Sequence, residues 1–278
     1  MRTINDLEQK VDRKAVCVAL KRSGDILRDH QKDPKWRCVL NECKLKTAAD
    51  LAMNAMISDD LHALSPGIPI FSEEVEHVIT DRPDIYWLID PVDGTASWLN
   101  GFTGYVTQIA LIAFKRPVFG AIYHPSSHRL WHGGFGRCVY CNEKKVKWPE
   151  FMMPPWRMID NYHKPQGLTA TMMEAREIGD YIECGSLGLK TILTLVGEAE
   201  IFVKSTRFRD WDMAPALALL ASSNGKIMDS TGAFVEVGKT IEFTNGLIVS
   251  SRREIALWAI DYIKRHKLFN EYRDSNAS

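Results

Sequence analysis

The sequence has little of what marks a secreted, membrane-bound or nucleic-acid-binding protein. Six cysteines in 278 residues are too few for a secreted disulfide framework. The 35 Lys and Arg residues balance 35 Asp and Glu residues, so no net charge attracts a nucleic acid polymer or a membrane surface. The opening stretch MRTINDLEQKVDRK lacks the apolar core of a secretion signal, and no stretch has the roughly 18 uncharged apolar residues of a transmembrane segment. We therefore expect a cytoplasmic protein with a small-molecule partner.

What the chain does contain is enough apolar sequence for a large core, with 45% hydrophobic residues. Apolar spacing predicts an amphipathic helix from about Asn5 to His30 and a second helix introduced by Thr47. The runs IPIFSEE and IYWLID read as short strands that each end in carboxylates. Further β-rich runs flank a predicted turn at 115–117. The first half is thus expected to combine helices with an antiparallel sheet.

The second half alternates strand-like and helical segments, which is typical of an α/β arrangement. Strand-like runs such as YIECGS and EIFVK are separated by helical runs such as LGLKTILTLVGEA. The Pro-rich segment WPEFMMPPW divides the two patterns. We expect an N-terminal half over residues 1–150 and a C-terminal half over 151–278.

Carboxylates at the ends of predicted elements are the main chemical signal. In LIDPVDGTASW, Asp90 and Asp93 follow an apolar strand, and two like charges this close favour a bound cation. Oxygen ligands without a neighbouring His or Cys suit Mg²⁺ better than Zn²⁺. Taken singly, each acidic pair also fits a turn or a solvated surface. The other acidic residues placed in this way are Asp50, Glu73, Glu74 and Asp212.

The glycine that follows the second aspartate points to a phosphate. A turn at Gly94 that leads into a helix leaves backbone N–H groups pointing outward, where they favour a phosphate oxygen. Metal ligands and a phosphate-binding turn would then share one short segment. Such an arrangement can clamp a phosphate and an attacking water together.

Three motifs, FSEE, WLIDPVDGT and DWDMAP, match in order the signatures of the inositol monophosphatase superfamily, whose members are Mg²⁺-dependent, Li⁺-sensitive phosphatases. The resemblance spans most of the chain and implies a layered αβαβα sandwich of the α/β class. Within the superfamily, the stretch TAADLAMNAMISDDLHALSPGIPIFSEE is most similar to the bacterial 3'(2'),5'-bisphosphate nucleotidases. The resemblance implies hydrolysis of a phosphate monoester.

The resemblance also implies the ligands of two or three Mg²⁺ ions. One ion would be held by Glu73, Asp90 and the backbone carbonyl of Val92. A second would be held by Asp90, Asp93 and Asp212, with Asp90 bridging the two.

Catalytic and substrate-binding roles follow in the same way. Thr95, hydrogen-bonded to Asp50, would orient the attacking water, and Glu73 would act with them in catalysis. The backbone of Gly94 and Thr95 would hold the phosphate, with Asp93 and Asp212 also touching the substrate. Glu74 would lie behind the metal ligands rather than among them.

The chain departs from the inositol monophosphatases in the loop before the third motif. A glutamate that contacts inositol hydroxyls is replaced here by the basic loop KSTRFR, whose cations can meet a second phosphate. The alternative is a solvated basic loop. The stretch CGSLGLK, with Ser186 and Lys190, resembles the one that lines the substrate site of the nucleotidases, although the second of its usual two serines is Leu187 here. The cations expected to bind the phosphate that is not cleaved are Lys190, Lys204, Arg207 and Arg209.

The expected substrate is therefore adenosine 3',5'-bisphosphate, which would lose its 3'-phosphate to give AMP. Inositol 1-phosphate, histidinol phosphate and fructose 1,6-bisphosphate stay open as alternatives, because the metal site alone does not distinguish them. A homologue without activity that binds a nucleotide or a protein is the alternative outside the enzymes. We expect a monomer or a homodimer.

Two other patterns suggest zinc. His124, His128 and His132 are spaced for one face of a helix, but Pro125 and the β-like flanks argue against a helix there. A CxxC pair together with two earlier cysteines resembles a four-thiolate site, although strand cysteines more often pack as small apolar groups. These cysteines are Cys38, Cys43, Cys138 and Cys141.

Overall fold

A computed structural model of the protein describes residues 11–42, 45–75, 82–134, 137–150, 152–221 and 223–268. The predicted start of the first helix and Cys43 lie outside these residues. The described chain forms five layers, in which three layers of helices alternate with two β-sheets.

The first layer consists of helices α1 (Arg13–Asp29) and α2 (Ala48–Leu64). Helix α1 begins where the Asp12 side chain accepts a hydrogen bond from the Ala15 N–H at 3.0 Å. The two helices pack against each other and bury an apolar face against one side of the first sheet. Both helices were predicted from the sequence, the second from its start at Thr47.

The first sheet has seven strands in the order β3-β4-β5-β6-β7-β8-β9. The predicted antiparallel pairing is correct for all pairs except β3 and β4, which are parallel. The parallel pair brings the ends of IPIFSEE and IYWLID to the same edge. The strands are β3 (Ile70–Ser72), β4 (Ile85–Asp93), β5 (Val106–Ala113), β6 (Arg116–His124), β7 (Arg129–Gly134), β8 (Tyr140–Cys141) and β9 (Lys144–Lys145).

The turn between β5 and β6 lies one to two residues earlier than predicted. Phe114 and Lys115 have φ angles of 50° and 62°, as the two central residues of a tight hairpin turn require. Arg116 and Pro117 are already part of β6.

Helices α5 (Leu187–Leu195) and α6 (Asp210–Leu220) form the middle layer between the two sheets. Helix α6 approaches β6 so closely that a Cβ atom at Gly120 would lie 2.3 Å from the Pro215 carbonyl oxygen and 2.9 Å from the Ala218 Cβ. A glycine in the strand therefore sets the distance between sheet and helix.

The second sheet has the order β11-β10-β12-β16-β14, and its outer face is covered by α4 (Gly167–Met172) and α7 (Arg253–Arg265). Its strands are β10 (Trp156–Asp160), β11 (Ile178–Glu183), β12 (Ile201–Lys204), β14 (Lys226–Met228) and β16 (Leu247–Ser250). The remaining elements are short: β1 (Val39–Asn41), β2 (Lys46–Thr47), α3 (Thr95–Leu99), β13 (Phe208–Arg209) and β15 (Glu242–Phe243).

The predicted αβαβα sandwich is confirmed. The sequence interpretation missed β10 and α4, which follow the Pro-rich segment directly. Within the described residues, the strands of the seven-stranded sheet end before residue 150 and those of the five-stranded sheet begin after it. Helix α6 nevertheless packs against the first sheet, so a boundary at residue 150 stays a prediction. No helix in the described part of the chain combines the length and the apolarity needed to cross a membrane.

The close approach of β6 and α6 yields a stability prediction. We expect Gly120→Ala to lower the free energy of unfolding by about 1–3 kcal/mol, because a methyl group there meets a backbone carbonyl that cannot rotate away. Urea unfolding followed by circular dichroism measures the change. Unchanged stability would mean that helix and strand separate without cost at this point.

Candidate active site

The two aspartates of the second motif lie at the end of β4 and face the same side because of a β-bulge. Asp90 pairs with Gln108 across the sheet, whereas Asp93 pairs with Val106, so three steps along β4 match two along β5. In a regular strand, residues three apart point to opposite faces. The extra residue of the bulge corrects this alternation and brings both carboxylates together.

A left-handed turn follows at once. Gly94 has a φ of 94°, and a Cβ there would lie 2.8 Å from the Gly104 carbonyl oxygen and 3.1 Å from the Ser186 backbone nitrogen. The Ser186 N–H donates to that same Gly104 carbonyl at 2.7 Å. The loops that contain Gly94, Gly104 and Ser186 therefore meet at this point. Helix α3 starts with the next residue, Thr95.

Thr95 and Asp50 are hydrogen-bonded, as expected. The Thr95 hydroxyl lies 3.0 Å from Asp50 Oδ1 and 2.9 Å from the Val92 carbonyl oxygen, so two acceptors compete for its single hydrogen. The other Asp50 oxygen, Oδ2, accepts from the Thr47 N–H at 2.8 Å and the Thr47 hydroxyl at 2.5 Å, which forms a capping box at the start of α2. The start of the helix thus holds Asp50 in place.

Glu73 and Asp212 complete a cluster of four acidic side chains with Asp90 and Asp93. Burial, followed by the charges of Asp212, Glu74 and Asp93, raises the pKa of Glu73 to about 8. Burial and the charge of Asp93 raise the pKa of Asp212 to about 7. The pKa of Asp90 is raised well above its ordinary value, first by burial and then by the charge of Glu73. These shifts show that the four carboxyl groups are close enough to repel one another.

Hydrogen-bond donors hold individual members of the cluster. Asp93 accepts from the Ser186 hydroxyl at 2.7 Å and from the backbone N–H groups of Leu187 and Gly188 at 3.1 and 2.6 Å. Asp212 accepts from the Arg209 N–H at 2.7 Å, at the start of α6. The N-termini of α5 and α6 therefore aim two of the carboxylates at one point.

Glu74 points to a different partner. Its carboxylate lies 2.8 Å from Lys46 Nζ, and the same ammonium donates to the Glu74 carbonyl at 2.7 Å. Its charge still raises the pKa of Glu73. This position is compatible with the predicted role behind the ligands.

The chemistry of the cluster fits a hard divalent cation. Its oxygens are carboxylates, and Asp90 Oδ1 is buried without a hydrogen-bond donor among the described residues. A cation would offset the repulsion among the carboxylates, and Asp90 Oδ1 could serve as one of its ligands. Among the described residues, no three acidic, His or Cys side chains are grouped closely enough to form a ligand set by themselves.

Two of the predicted cations lie beside the cluster. Lys190 is buried on α5, 3.7 Å from Asp160 Oδ1 and in contact with the Asn161 side-chain oxygen. Burial raises the pKa of Asp93, and the charge of Lys190 partly offsets that rise. Lys204, at the end of β12, partly offsets in the same way the rise that burial causes in the pKa of Asp212. Burial, followed by the charge of Lys190, lowers the pKa of Lys204 itself. The two lysines thus form a basic wall next to the acidic cluster.

The two predicted arginines are placed differently. The Arg207 side chain is 77% exposed, and its Nε lies 3.5 Å from Glu242 Oε1. Arg209 Nη1 lies 3.9 Å from the other oxygen of the same glutamate. Both arginines therefore share an acidic partner on the ribbon of β13 and β15.

The histidine pattern does not form a helical metal site. His124 ends β6, His128 follows a short 3₁₀ turn, and His132 lies within β7. His124 Nε2 contacts the Thr103 carbonyl at 2.7 Å, and His132 stacks on Tyr140. Cys138 and Cys141 flank or lie in β8, and the proposed four-thiolate site cannot be assessed because Cys43 is outside the described residues.

Two structural partners of the site were not recognised in the sequence. Gln108 is fully buried, and its Nε2 lies 3.2–3.4 Å from oxygens of Asp90, Asp93 and α6. Arg82 forms a buried ion pair with Asp210, the first residue of α6, and its guanidinium stacks near two aromatic rings. No local pattern indicates either contact, because each depends on which strand or helix lies opposite.

A cavity of about 840 Å³ lies away from the acidic cluster, between α1 and strands β6, β7 and β8. Its lining includes Arg13, Lys21, His132 and Tyr140. None of the residues predicted for the phosphatase site lines it. The clustered carboxylates, rather than cavity size, therefore identify the chemical site.

Comparison with known proteins gives a consistent result. Residues 8–268 match the model of the inositol monophosphatase family. The 3'(2'),5'-bisphosphate nucleotidase CysQ of Aggregatibacter actinomycetemcomitans is 30% identical over 211 residues, which cover 72% of this chain and 77% of the relative. CysQ of Shigella flexneri is 26% identical over 238 residues, covering 83% and 95%.

Solved structures support the fold. The extragenic suppressor protein suhB of Bartonella henselae superposes with a TM-score of 0.76 at 20% identity, covering 90% of this chain and 97% of that one. The family match and the nucleotidase relatives identify a phosphomonoesterase. The chain belongs to the inositol monophosphatase family.

Proposed function

We propose that the protein is a Mg²⁺-dependent phosphatase that removes the 3'-phosphate of adenosine 3',5'-bisphosphate to give AMP and phosphate. The observation that carries the proposal is the cluster of mutually repelling carboxylates at the end of β4, of which Asp90 and Asp93 are buried. Nucleotidase relatives over most of the chain support the choice of substrate. The cytoplasmic location and the monomeric or dimeric state stay predictions from the sequence.

The chain's own groups suggest how the cation would be held. Glu73, Asp90 and the Val92 carbonyl would bind one ion, and Asp90, Asp93 and Asp212 a second. When bound, Mg²⁺ lowers the pKa of a coordinated water and stabilises negative charge on phosphate oxygens. We further expect inhibition by Li⁺, as in the family.

Thr95 and Asp50 would direct the attacking water. The Thr95 hydroxyl lies between Asp50 and the Val92 carbonyl, so it can donate to either and accept from a water on its other side. Hydrogen bonds from Thr47, at the start of α2, hold Asp50 in one orientation, so the Asp50–Thr95 hydrogen bond keeps its geometry. The backbone N–H groups of Gly94 and Thr95 would hold the phosphate.

The basic wall supports a substrate with a second phosphate. Lys204 lies next to Asp212, where the uncleaved phosphate of a bisphosphate would have to be neutralised. Lys190 lies beside Asp93 but is buried and already engaged by Asp160 and Asn161, so it would add positive charge behind Lys204 rather than contact the phosphate. Ser186 caps α5, the helix that carries Lys190, and its hydroxyl donates to Asp93 at 2.7 Å. Arg207 and Arg209 would act more weakly, because Glu242 already offsets their charge.

The first prediction concerns substrate and metal. We expect purified protein with Mg²⁺ to release phosphate from adenosine 3',5'-bisphosphate faster than from inositol 1-phosphate, and chelation or Li⁺ to suppress both reactions. A malachite-green assay on the two esters, with histidinol phosphate and fructose 1,6-bisphosphate alongside, measures this. Preference for inositol 1-phosphate would reject the substrate, and no turnover of any ester would favour a binding protein without activity.

A second prediction concerns Asp212. Asp212→Asn keeps an oxygen for the Arg209 N–H but loses the charge, so we expect kcat to fall by roughly 100-fold or more, since metal stabilisation of the transition state amounts to several kcal/mol. The matched control is Asp261→Asn on α7, an exposed carboxylate paired with Arg265. Equal activity of the two variants would contradict the proposed role.

A third prediction compares the contributions of Lys204 and Arg207 to substrate binding. We expect Lys204→Met to raise KM for the bisphosphate roughly 10- to 150-fold, as loss of a charged hydrogen bond of about 1.5–3 kcal/mol implies, and to change KM for a monophosphate far less. Arg207→Met, at an exposed position, should change either KM less than twofold. Equal effects of Lys204→Met on both substrates would argue against a second phosphate at this wall.

A further inference from the structure

Gln108 places one hydrogen-bond donor group among the acceptors of the acidic cluster. It lies on β5 directly opposite Asp90, and its side chain is fully buried. Its Nε2 is 3.3 Å from Asp90 Oδ2 and 3.2 Å from Asp93 Oδ2. One amide group therefore contacts the two carboxylates that the bulge brings together.

The same nitrogen also reaches α6. Nε2 lies 3.4 Å from the carbonyl oxygens of both Trp211 and Asp212. All four neighbouring atoms are acceptors, so the amide must present its NH₂ group and not its oxygen to them. Gln108 thus connects the end of β4 with the first turn of α6, the two elements that carry the carboxylates.

Gly188 leaves the space that the amide occupies. A Cβ at this position would lie 2.1 Å from Gln108 Oε1 and 2.8 Å from Gln108 Cδ. Oε1 accepts no hydrogen bond from the described residues, so contact with the α5 backbone rather than a donor limits where it lies. The Gly188 N–H meanwhile donates to Asp93 Oδ2 at 2.6 Å.

We propose that Gln108 and Gly188 form a positioning pair for the cation site: the Gln108 amide holds Asp90 and Asp93 in one orientation, and Gly188 gives a side chain of this length the space to do so. The inference rests on the proposed Mg²⁺-dependent function. Groups that hydrogen-bond metal ligands typically change metal affinity 10–100-fold when removed.

Calorimetric titration of metal-free protein with Mg²⁺ tests the first part. Gln108→Met has a similar shape without a donor, and we expect it to bind Mg²⁺ about 10–100-fold more weakly than the wild type. Gln108→Asn keeps an amide on a shorter chain and should recover part of the loss. Thermal unfolding without metal shows whether each variant is folded. Wild-type affinity in a folded Gln108→Met variant would overturn the proposal.

A double-mutant cycle tests the pairing. Gly188→Ala should weaken Mg²⁺ binding in the wild-type background, because its methyl group displaces the Gln108 amide and also lies 3.0 Å from Asp93 Oδ2. The contact with Asp93 is common to both backgrounds, so the cycle isolates the part that acts through Gln108. In the Gln108→Asn background the shorter side chain leaves room, so Gly188→Ala should cost clearly less. Equal costs in both backgrounds would overturn the pairing. If the wild type itself binds no Mg²⁺, the proposed function fails together with this inference, whereas normal binding in all variants contradicts this inference alone.

Discussion

Repulsion among clustered carboxylates is the constraint on which the rest of the site depends. Asp90, Asp93, Glu73 and Asp212 come from three different segments, and the burial of Asp90 and Asp93 makes the mutual repulsion costly. The surrounding fold offsets this cost with fixed donors from the first turns of α5 and α6 and from β5. A site of this kind is stable only when the surrounding layers are rigid, and a cation would remove the remaining repulsion.

The five-layer arrangement supplies that rigidity. The middle helices lie between two sheets, so their N-terminal turns cannot move away from the end of β4 without separating the layers. Close contact at Gly120 fixes one side of α6, and the buried Arg82–Asp210 pair fixes its first residue. The direction of the Asp212 side chain therefore depends on how α6 packs against the first sheet.

Sequence patterns predicted much of this architecture but not the contacts that make it precise. The amphipathic helix α1 and the apolar strand β4 were evident, because their burial follows from the local spacing of apolar residues. The short strand β10 and helix α4 have no such spacing. The roles of Gln108 and Arg82 depend on which strand or helix lies opposite, and a single sequence does not record that. The two arginines of the basic loop looked equivalent to Lys204 until their shared partner Glu242 was located.

The bulge between Asp90 and Asp93 also bears on how this site can change over evolutionary time. The direction of Asp93 depends on the number of residues between the two aspartates, because one extra residue decides which face of the sheet it occupies. Substitutions between them leave that count intact and can be explored one at a time. Loss or gain of a single residue turns one carboxylate to the opposite layer, so no gradual series of lengths leads away from the present spacing.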